Sequence, residues 1–369
     1  MFDLEVAKNE LLAPLLLVSG AVDKRQSLAI LSHILFEVKA DTLTLTATDL
    51  EMEISAKLNC SSHCSDSELT IPAKKFIDII RSLDDAVLAR ITQKDNAVLI
   101  KAVKSQFKLA ILPAEQFPRN AEDAAEALEL SIPKSGLIQL LQSTHFAMSQ
   151  QDVRIFLNGL LLEIDNSSIT AVATDGHRMA ICKLPCNQGM PLQRFLLPRK
   201  SVQEMLRVLN TVSDEIITIH AGKSNFGLKT REYTFNSKLI EAKFPPYAKA
   251  IPRANDKFIL IDKESLKRAL SRIVILAHEK SRAVVMHIQQ GSITLIANNQ
   301  AQEEAIESVE AQVDGNEIKI GINAGYLLDV LNFIPDATIR LSLSTTDSSI
   351  LVEPLEEGYY QYIIMPMKL

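Results

Sequence analysis

Thr174-Asp-Gly-His-Arg178 is the stretch of this chain whose residue types could do acid–base chemistry. His177 could act as a general base near Asp175, two residues away. The run has a second reading. Asp-Gly is a tight-turn signal, and the polar residues around it then sit at the tip of a hairpin. Cysteines offer another chemistry. Cys60 and Cys64, with His63 beside the second, and Cys182 and Cys186 give the spacing Cys-x3-Cys twice. Such spacing raises a zinc site. However, Cys60 and Cys186 occupy equivalent places in an internal repeat, a domain width apart and too far to share one ion. We expect reduced thiols and no metal. The 12 glycines form no Walker A loop, dinucleotide fingerprint or nucleophile elbow. No catalytic residue and no cofactor is expected.

The 369 residues are too many for one ordinary core, and a third of the chain is a common domain size. The formal net charge is −6. Such a chain does not grip DNA over its whole surface, because phosphate binding needs a basic face. A single basic lining surface is still compatible with it. Aromatic residues make up 5% and tryptophan is absent, which disfavours base stacking and single-strand binding. The start, Met1-Phe2-Asp3-Leu4-Glu5, lacks a basic signal-peptide region, and no apolar run is long enough to span a bilayer. A cytoplasmic protein without a membrane partner is expected.

The elements that would position these residues recur three times. Thr42–Asp49, Ser168–Asp175 and Ser292–Asn299 each alternate small or apolar residues with polar ones, the pattern of a strand ending in a turn. Asp49 and Asp175 stand 126 residues apart, and Asn299 lies 124 beyond Asp175. Leu50–Leu58 continues the first copy as a strand with one buried face. Pro72, Pro198 and the Asn323-Ala324 pair each open a helix, reaching Leu83, Leu209 and Ile334. Another helix opens each copy, over Ala7–Val18, Pro133–Phe146 and Lys263–Leu276. Glu115-Gln-Phe-Pro118 and Ala242-Lys-Phe-Pro245 close the first two copies. This predicts an α+β fold with domains at 1–125, 128–253 and 254–369.

Two helices per repeat give six per chain and twelve in a symmetric dimer. At about 9 Å spacing, twelve helices enclose a hole about 35 Å across, enough for hydrated duplex DNA. Lys74, Lys75 and Arg81, then Arg199, Lys200 and Arg207, then Lys263, Lys267, Arg268 and Arg272 lie on these helices. A basic lining inside an acidic body would hold DNA in a salt-sensitive and sequence-blind way. Taken singly, each of these bases also fits a solvated helix face.

Gln151-Asp-Val-Arg-Ile-Phe-Leu-Asn-Gly159, Ala173–Met179, Phe244-Pro-Pro-Tyr247, Asn298–Glu304, Tyr326–Leu331 and Met365-Pro-Met-Lys-Leu369 together resemble signatures of the bacterial DNA polymerase III beta subunit, the beta sliding clamp. The resemblance runs from end to end. It implies a ring-shaped head-to-tail homodimer of clamp domains, with helices lining the inside and antiparallel sheets outside, and no catalytic activity. It also implies partners: double-stranded and primed DNA, the clamp loader delta subunit, the replicative polymerase alpha subunit, repair and translesion polymerases, mismatch repair proteins and ligase. A client pocket for a short peptide would take its apolar part from Leu157, Thr174, Gly176, Met179, Pro245, Ala250, Ile363, Met365, Pro366 and Met367. Its polar edge would come from Arg154, His177, Arg178, Lys249, Tyr326, Ser349 and Lys368, with Leu369 at the end. Methionines suit such an adaptable groove. DNA contacts would fall on Arg25, Lys74, Lys75, Gln150, Gln151, Phe156, Arg199 and Lys200. The dimer seam would set Phe107 and Leu109 against Ile275 and Leu276, the two segments extending a sheet across the boundary.

The chain departs from the family pattern in places. Lys249 and Lys368 replace arginines, which removes planar bidentate bonding. Ala250 replaces valine and Met179 replaces leucine. Ile155 and Phe156 stand where tyrosines are frequent. Two other readings compete: a three-domain protein-binding scaffold that never touches DNA, and an enzyme using Asp175 and His177.

Overall fold

A computed structural model describes residues 2–23, 28–63, 66–85, 87–119, 128–186, 191–355 and 358–368. Among them are six α-helices: α1 (Lys8–Val18), α2 (Ala73–Ser82), α3 (Lys134–Gln142), α4 (Arg199–Thr211), α5 (Lys263–Ile273) and α6 (Ala324–Phe333). Pro72 and Pro198 immediately precede α2 and α4, where a missing N–H is harmless. Asp262 caps α5 by accepting from Ser265 N, and Asn323 caps α6 by accepting from Gly325 N and Tyr326 N. In α4, Val202, Met205, Leu206, Val208 and Leu209 are buried at helical spacing. The helix expected to reach Phe146 stops at Gln142, and a 3-10 turn, His145–Ala147, comes next. The Thr144 hydroxyl donates back to Leu140 O at 2.6 Å, and His145 Nδ1 lies 3.1 Å from Leu141 O. These side chains satisfy carbonyls that a longer helix would have used.

The chain divides into two compact units, residues 1–135 with 200–239, and residues 136–199 with 240–369. The first holds a five-stranded and an eight-stranded antiparallel sheet, and the second a twelve-stranded one. The units do not follow the repeat because strand pairing runs across repeat boundaries. In the first unit, Met52–Asn59 of the first copy pairs with Tyr233–Lys238 of the second, Ile54 opposite Phe235. In the second unit, Arg178–Pro185 pairs with Tyr360–Ile364 of the third copy, Ala180 opposite Tyr362. Phe235 and Tyr362 are both fully buried. Fully burying a side chain of this size is worth roughly 1.5–3 kcal/mol. An aromatic at one fixed place therefore seals each junction.

The turns of the first and second copies match atom for atom. Thr48 Oγ1 donates to Met52 O and accepts from Leu50 N, while Asp49 Oδ1 accepts from Glu51 N and Met52 N. Thr174 Oγ1 donates to Arg178 O and accepts from Gly176 N, while Asp175 Oδ1 accepts from His177 N and Arg178 N. Gly176 has φ +90°, and Leu50 at the matching place has φ +73°. A left-handed leucine costs about 1–2 kcal/mol, and glycine returns part of that as unfolded-chain entropy. We expect Leu50→Gly to stabilise the first unit by about 0.5–1 kcal/mol. An unchanged or lower midpoint in urea unfolding would show that Leu50 offsets its strain by packing.

Candidate functional site

The second unit gathers most of the expected pocket around the end of strand Arg178–Pro185. Met179 and Ile363 face each other across the strand pair, both buried. They belong to an apolar cluster with Leu161, Val172, Ile181, Leu196 and Leu351, against which Phe156, Ile240, Ala242, Phe244, Tyr247 and Ile251 pack. Ser349 lies two residues before Leu351, the other strand partner of Ile363. Leu157 is buried beside this wall, its N–H on Arg154 O. The C-terminal tail is pinned at two points, Met365 N on His177 O at 2.9 Å and Met367 N on Gly321 O at 2.8 Å. Met365 and Lys368 are exposed, while Pro366 and Met367 are half-buried. Pro245, Lys249 and Ala250 are exposed on the segment joining the second and third copies, the latter two in a 3-10 turn, Tyr247–Ala250.

Arg178 ties the second and third copies together. Its Nε donates to Asp175 Oδ2 at 3.0 Å, Nη1 to Asp329 Oδ2 at 2.5 Å and Nη2 to Phe146 O at 2.7 Å. Its guanidinium carbon sits 4.6 Å from the Tyr326 ring centre and 5.4 Å from that of Phe146. Phe146 in turn stacks on Phe333 at 5.1 Å. Asp175 gives one oxygen to the turn and the other to Arg178, while the His177 side chain is exposed at the hairpin tip. The run is thus a hairpin turn whose carboxylate serves the backbone and Arg178, the second of the two readings of its sequence.

Arg154 lies over the same turn. A Cβ added at Gly176 would come within 3.2 Å of Arg154 Nη2, so glycine serves both the positive φ and this approach. Asp152 holds Arg154 through Nε and Nη2, both at 3.0 Å, and those bonds hold its carboxyl down at about 2. A polar cavity of about 350 Å³ opens next to this, lined by Gln150, Asp152, Asp175, His177, Arg178, Arg199 and Tyr326 among others. Burial, reinforced by Arg178, lowers the Arg199 pKa. Burial raises that of Tyr326, with Asp175 adding to the shift.

The expected DNA contacts fall in both units. Lys74 and Lys75 are exposed on α2, and Gln150 and Gln151 on the loop after the 3-10 turn. Lys200 is exposed but bonded to Asp49 Oδ2 at 2.5 Å, and Arg199 Nη1 donates to Met148 O at 2.6 Å. Phe156, also expected at DNA, is half-buried against the apolar cluster, its ring edge-on to Phe244 at 6.1 Å. Arg25, Cys64 and Leu369 lie outside the described residues.

At the expected seam, Phe107 and Leu109 sit on the edge strand Ser105–Ala110. Ile275 and Leu276 do not extend a sheet. They occupy a 3-10 turn, Val274–Leu276, after α5, with Ile275 77% exposed. Glu304–Asp314 is a strand with an open side: its first half bonds Ser292–Asn298, while among the described residues Ala311–Asp314 alone reaches Lys257–Asp262 on the other side. Ile306 in that first half is 59% exposed. Among the described residues no three His, Cys, Asp or Glu side chains gather to hold a metal. No described helix is long and apolar enough to cross a membrane. The Cys182 thiol, pushed up to about 12 by burial, is an inert part of the core.

Sequence reasoning missed Phe146 and Asp329 as partners of Arg178, Phe333 as the ring stacked on Phe146, Asp152 as the holder of Arg154, and the contact of Tyr247 with Glu163. One signal was present. Asp78, Glu204 and Asp329 recur at matching places in α2, α4 and α6.

Fold and junctions together define a chain of three tandem clamp domains joined by continuous sheets. Sequence models of the DNA polymerase III beta subunit match its N-terminal domain at residues 2–121, its central domain at 131–246 and its C-terminal domain at 248–368. The beta sliding clamp of Pseudomonas aeruginosa is 40% identical over 365 residues, 99% of each chain, and that of Escherichia coli 36% over 364, again 99% of each. Among solved structures, a Pseudomonas aeruginosa sliding clamp superposes with a TM-score of 0.95 at 40% identity, and a Caulobacter crescentus beta sliding clamp with 0.94 at 30%, each covering 100% of both chains. The chain belongs to the DNA polymerase III beta subunit family.

Proposed function

We propose that this chain is a DNA sliding clamp, a homodimeric ring that encircles duplex DNA and confers processivity on the replicative polymerase. It has no catalytic activity of its own. The observation that carries this reading is the unfinished third junction. Two junctions within the chain are sealed by Phe235 opposite Ile54 and Tyr362 opposite Ala180. By strand register, Phe107 is the equivalent aromatic, paired with Ile100 as Phe235 is with Leu228 and Tyr362 with Val352. The equivalent acceptor is Ala305, paired with Ala297 as Ala180 is with Ala173. Among the described residues neither has a strand partner on its other side, so a head-to-tail second copy completes the pattern. The same register sets Lys108 opposite Glu304, an attractive pair. An open groove of about 460 Å³, lined by Arg268, Arg272, Ser308 and Val309, lies beside this strand. Ile275 then faces α2 of the second copy, as Phe146 meets α6 within the chain.

We take the three domains as 1–125, 128–253 and 254–369, and the cytoplasm as their location. Lys74, Lys75, Gln150, Gln151, Arg199 and Lys200 are the DNA-facing candidates. The pocket around Met179, Ile363, His177, Arg178, Tyr326 and the C-terminal tail receives a short peptide from the polymerase, the clamp loader or repair proteins. Lysine at 249 and 368 gives point charges where a fork would clamp the peptide backbone, so orientation falls to Arg154 and Arg178.

A topological grip is tested by loading the dimer, with its clamp loader, onto nicked circular DNA. Retention through gel filtration is expected, with near-complete loss once the circle is linearised, since a ring slides off an end. Equal retention on both forms would remove the topological mechanism.

A further inference from the structure

The motif Phe244-Pro-Pro-Tyr247 is absorbed only in part by the pocket. Residues 241–256 contribute no strand to the sheet, yet they carry Pro245, Lys249 and Ala250. Such a segment needs its own anchors, because no backbone ladder holds it. The anchors lie at its middle. The Tyr247 hydroxyl donates to Glu163 Oε2 at 2.6 Å, and Arg194 Nε donates to Glu163 Oε1 at 2.6 Å. Glu163 and Arg194 are also strand partners, so the carboxylate is fixed before Tyr247 arrives. The Glu163 side chain is 13% exposed, which strengthens a charge-assisted bond to a neutral donor. Phe244 meets the Phe156 ring at 6.1 Å and the Tyr247 ring at 6.5 Å, so the aromatic face is shared and the hydroxyl is the directional contact. Burial together with the Glu163 bond raises the phenol above the ordinary tyrosine range, so it stays a donor at working pH. Tyr247 also begins the 3-10 turn that ends at Ala250, and Lys249 N closes it on Pro246 O at 3.2 Å.

We propose that Tyr247 is a positioning residue of the peptide pocket: its hydroxyl on Glu163, itself held by Arg194, fixes the segment carrying Pro245, Lys249 and Ala250 and so sets peptide affinity without touching the peptide. This rests on the reading of that pocket as a peptide site. Without the tie the wall is present but loose, and a peptide must order it on binding.

The test uses the full-length dimer and fluorescence anisotropy of a fluorescein-labelled linear hexapeptide with one glutamine and two bulky apolar residues. Tyr247→Phe keeps the ring and is expected to weaken binding about tenfold, with dimer mass and melting temperature unchanged. Glu163→Gln is expected to weaken it too, and the double variant no further than the stronger single. Met365→Ala serves as the pocket control and should lose binding. If Tyr247→Phe binds like the parent while Met365→Ala does not, the positioning role is wrong and the pocket stands. If no variant changes binding, the pocket reading itself fails and takes the proposal with it. A loss in Tyr247→Phe that comes with a lower melting temperature, or effects that simply add in the double variant, would reduce Tyr247 to ordinary packing and overturn the proposal.

Discussion

Phe107→Asp should turn the dimer into a 40.9 kDa monomer that remains folded. Phe107 is half-buried on an edge strand, so the chain tolerates a polar residue there. Its equivalents Phe235 and Tyr362 are fully buried, which measures what Phe107 gains when a second copy covers it. Losing a core phenylalanine costs about 3–5 kcal/mol, and an uncompensated buried carboxylate costs more. A two-fold ring has two such seams, so the variant dimer loses the contact twice. The combined loss, at least about 6 kcal/mol, weakens dimerisation at least about ten-thousand-fold. Sedimentation at micromolar concentration should show the monomer mass with an unchanged far-ultraviolet circular dichroism spectrum. A second variant checks the register. Lys108→Glu should weaken the dimer by placing like charges opposite Glu304, and adding Glu304→Lys should restore it. A Phe107→Asp protein that sediments as a dimer would show that the chain closes through some other surface.

Deleting residues 365–369 should abolish binding of a polymerase-derived peptide, at least a hundredfold in affinity, while the dimer persists. The last strand ends at Ile364, and its pairing with Arg178–Pro185 and Ile350–Pro354 does not depend on the residues beyond it. The deletion removes the wall made by Met365, Pro366 and Met367, held in place by the bonds to His177 O and Gly321 O. A fixed apolar wall is worth more than a mobile one because the peptide need not order it. Several truncated anchors at about 1–2 kcal/mol each reach the stated loss. The deletion lies far along the chain from Phe107, so the two experiments separate assembly from client capture. Peptide binding that survives the deletion at full strength would move the pocket elsewhere.

The three-fold repeat, its six helices and the strands that end at Asp49, Asp175 and Asn299 were legible in the sequence. Alternation and helical spacing record which side of each element is buried, and that record survives in every copy. The departures from the repeat were legible too, and Gly176-His177-Arg178 and the C-terminal Met365 do come together, joined by the bond from Met365 N to His177 O. Periodicity says that a side is buried, not against what. Nothing local distinguishes Phe156 facing Phe244 from Phe156 facing DNA, or Ile275 in a turn from Ile275 in a strand. Tyr247 finds Glu163 from 84 residues away, and Arg178 finds Asp329 from 151. Hydrogen bonds of that span exist only once the sheets have formed, because the strands fix where both ends lie. The sequence by itself determined that this protein is three copies of one domain with a marked second and third. The tertiary structure alone decided that each of the two junctions within the chain is a strand pair sealed by an aromatic, because only the folded sheets bring those strands side by side.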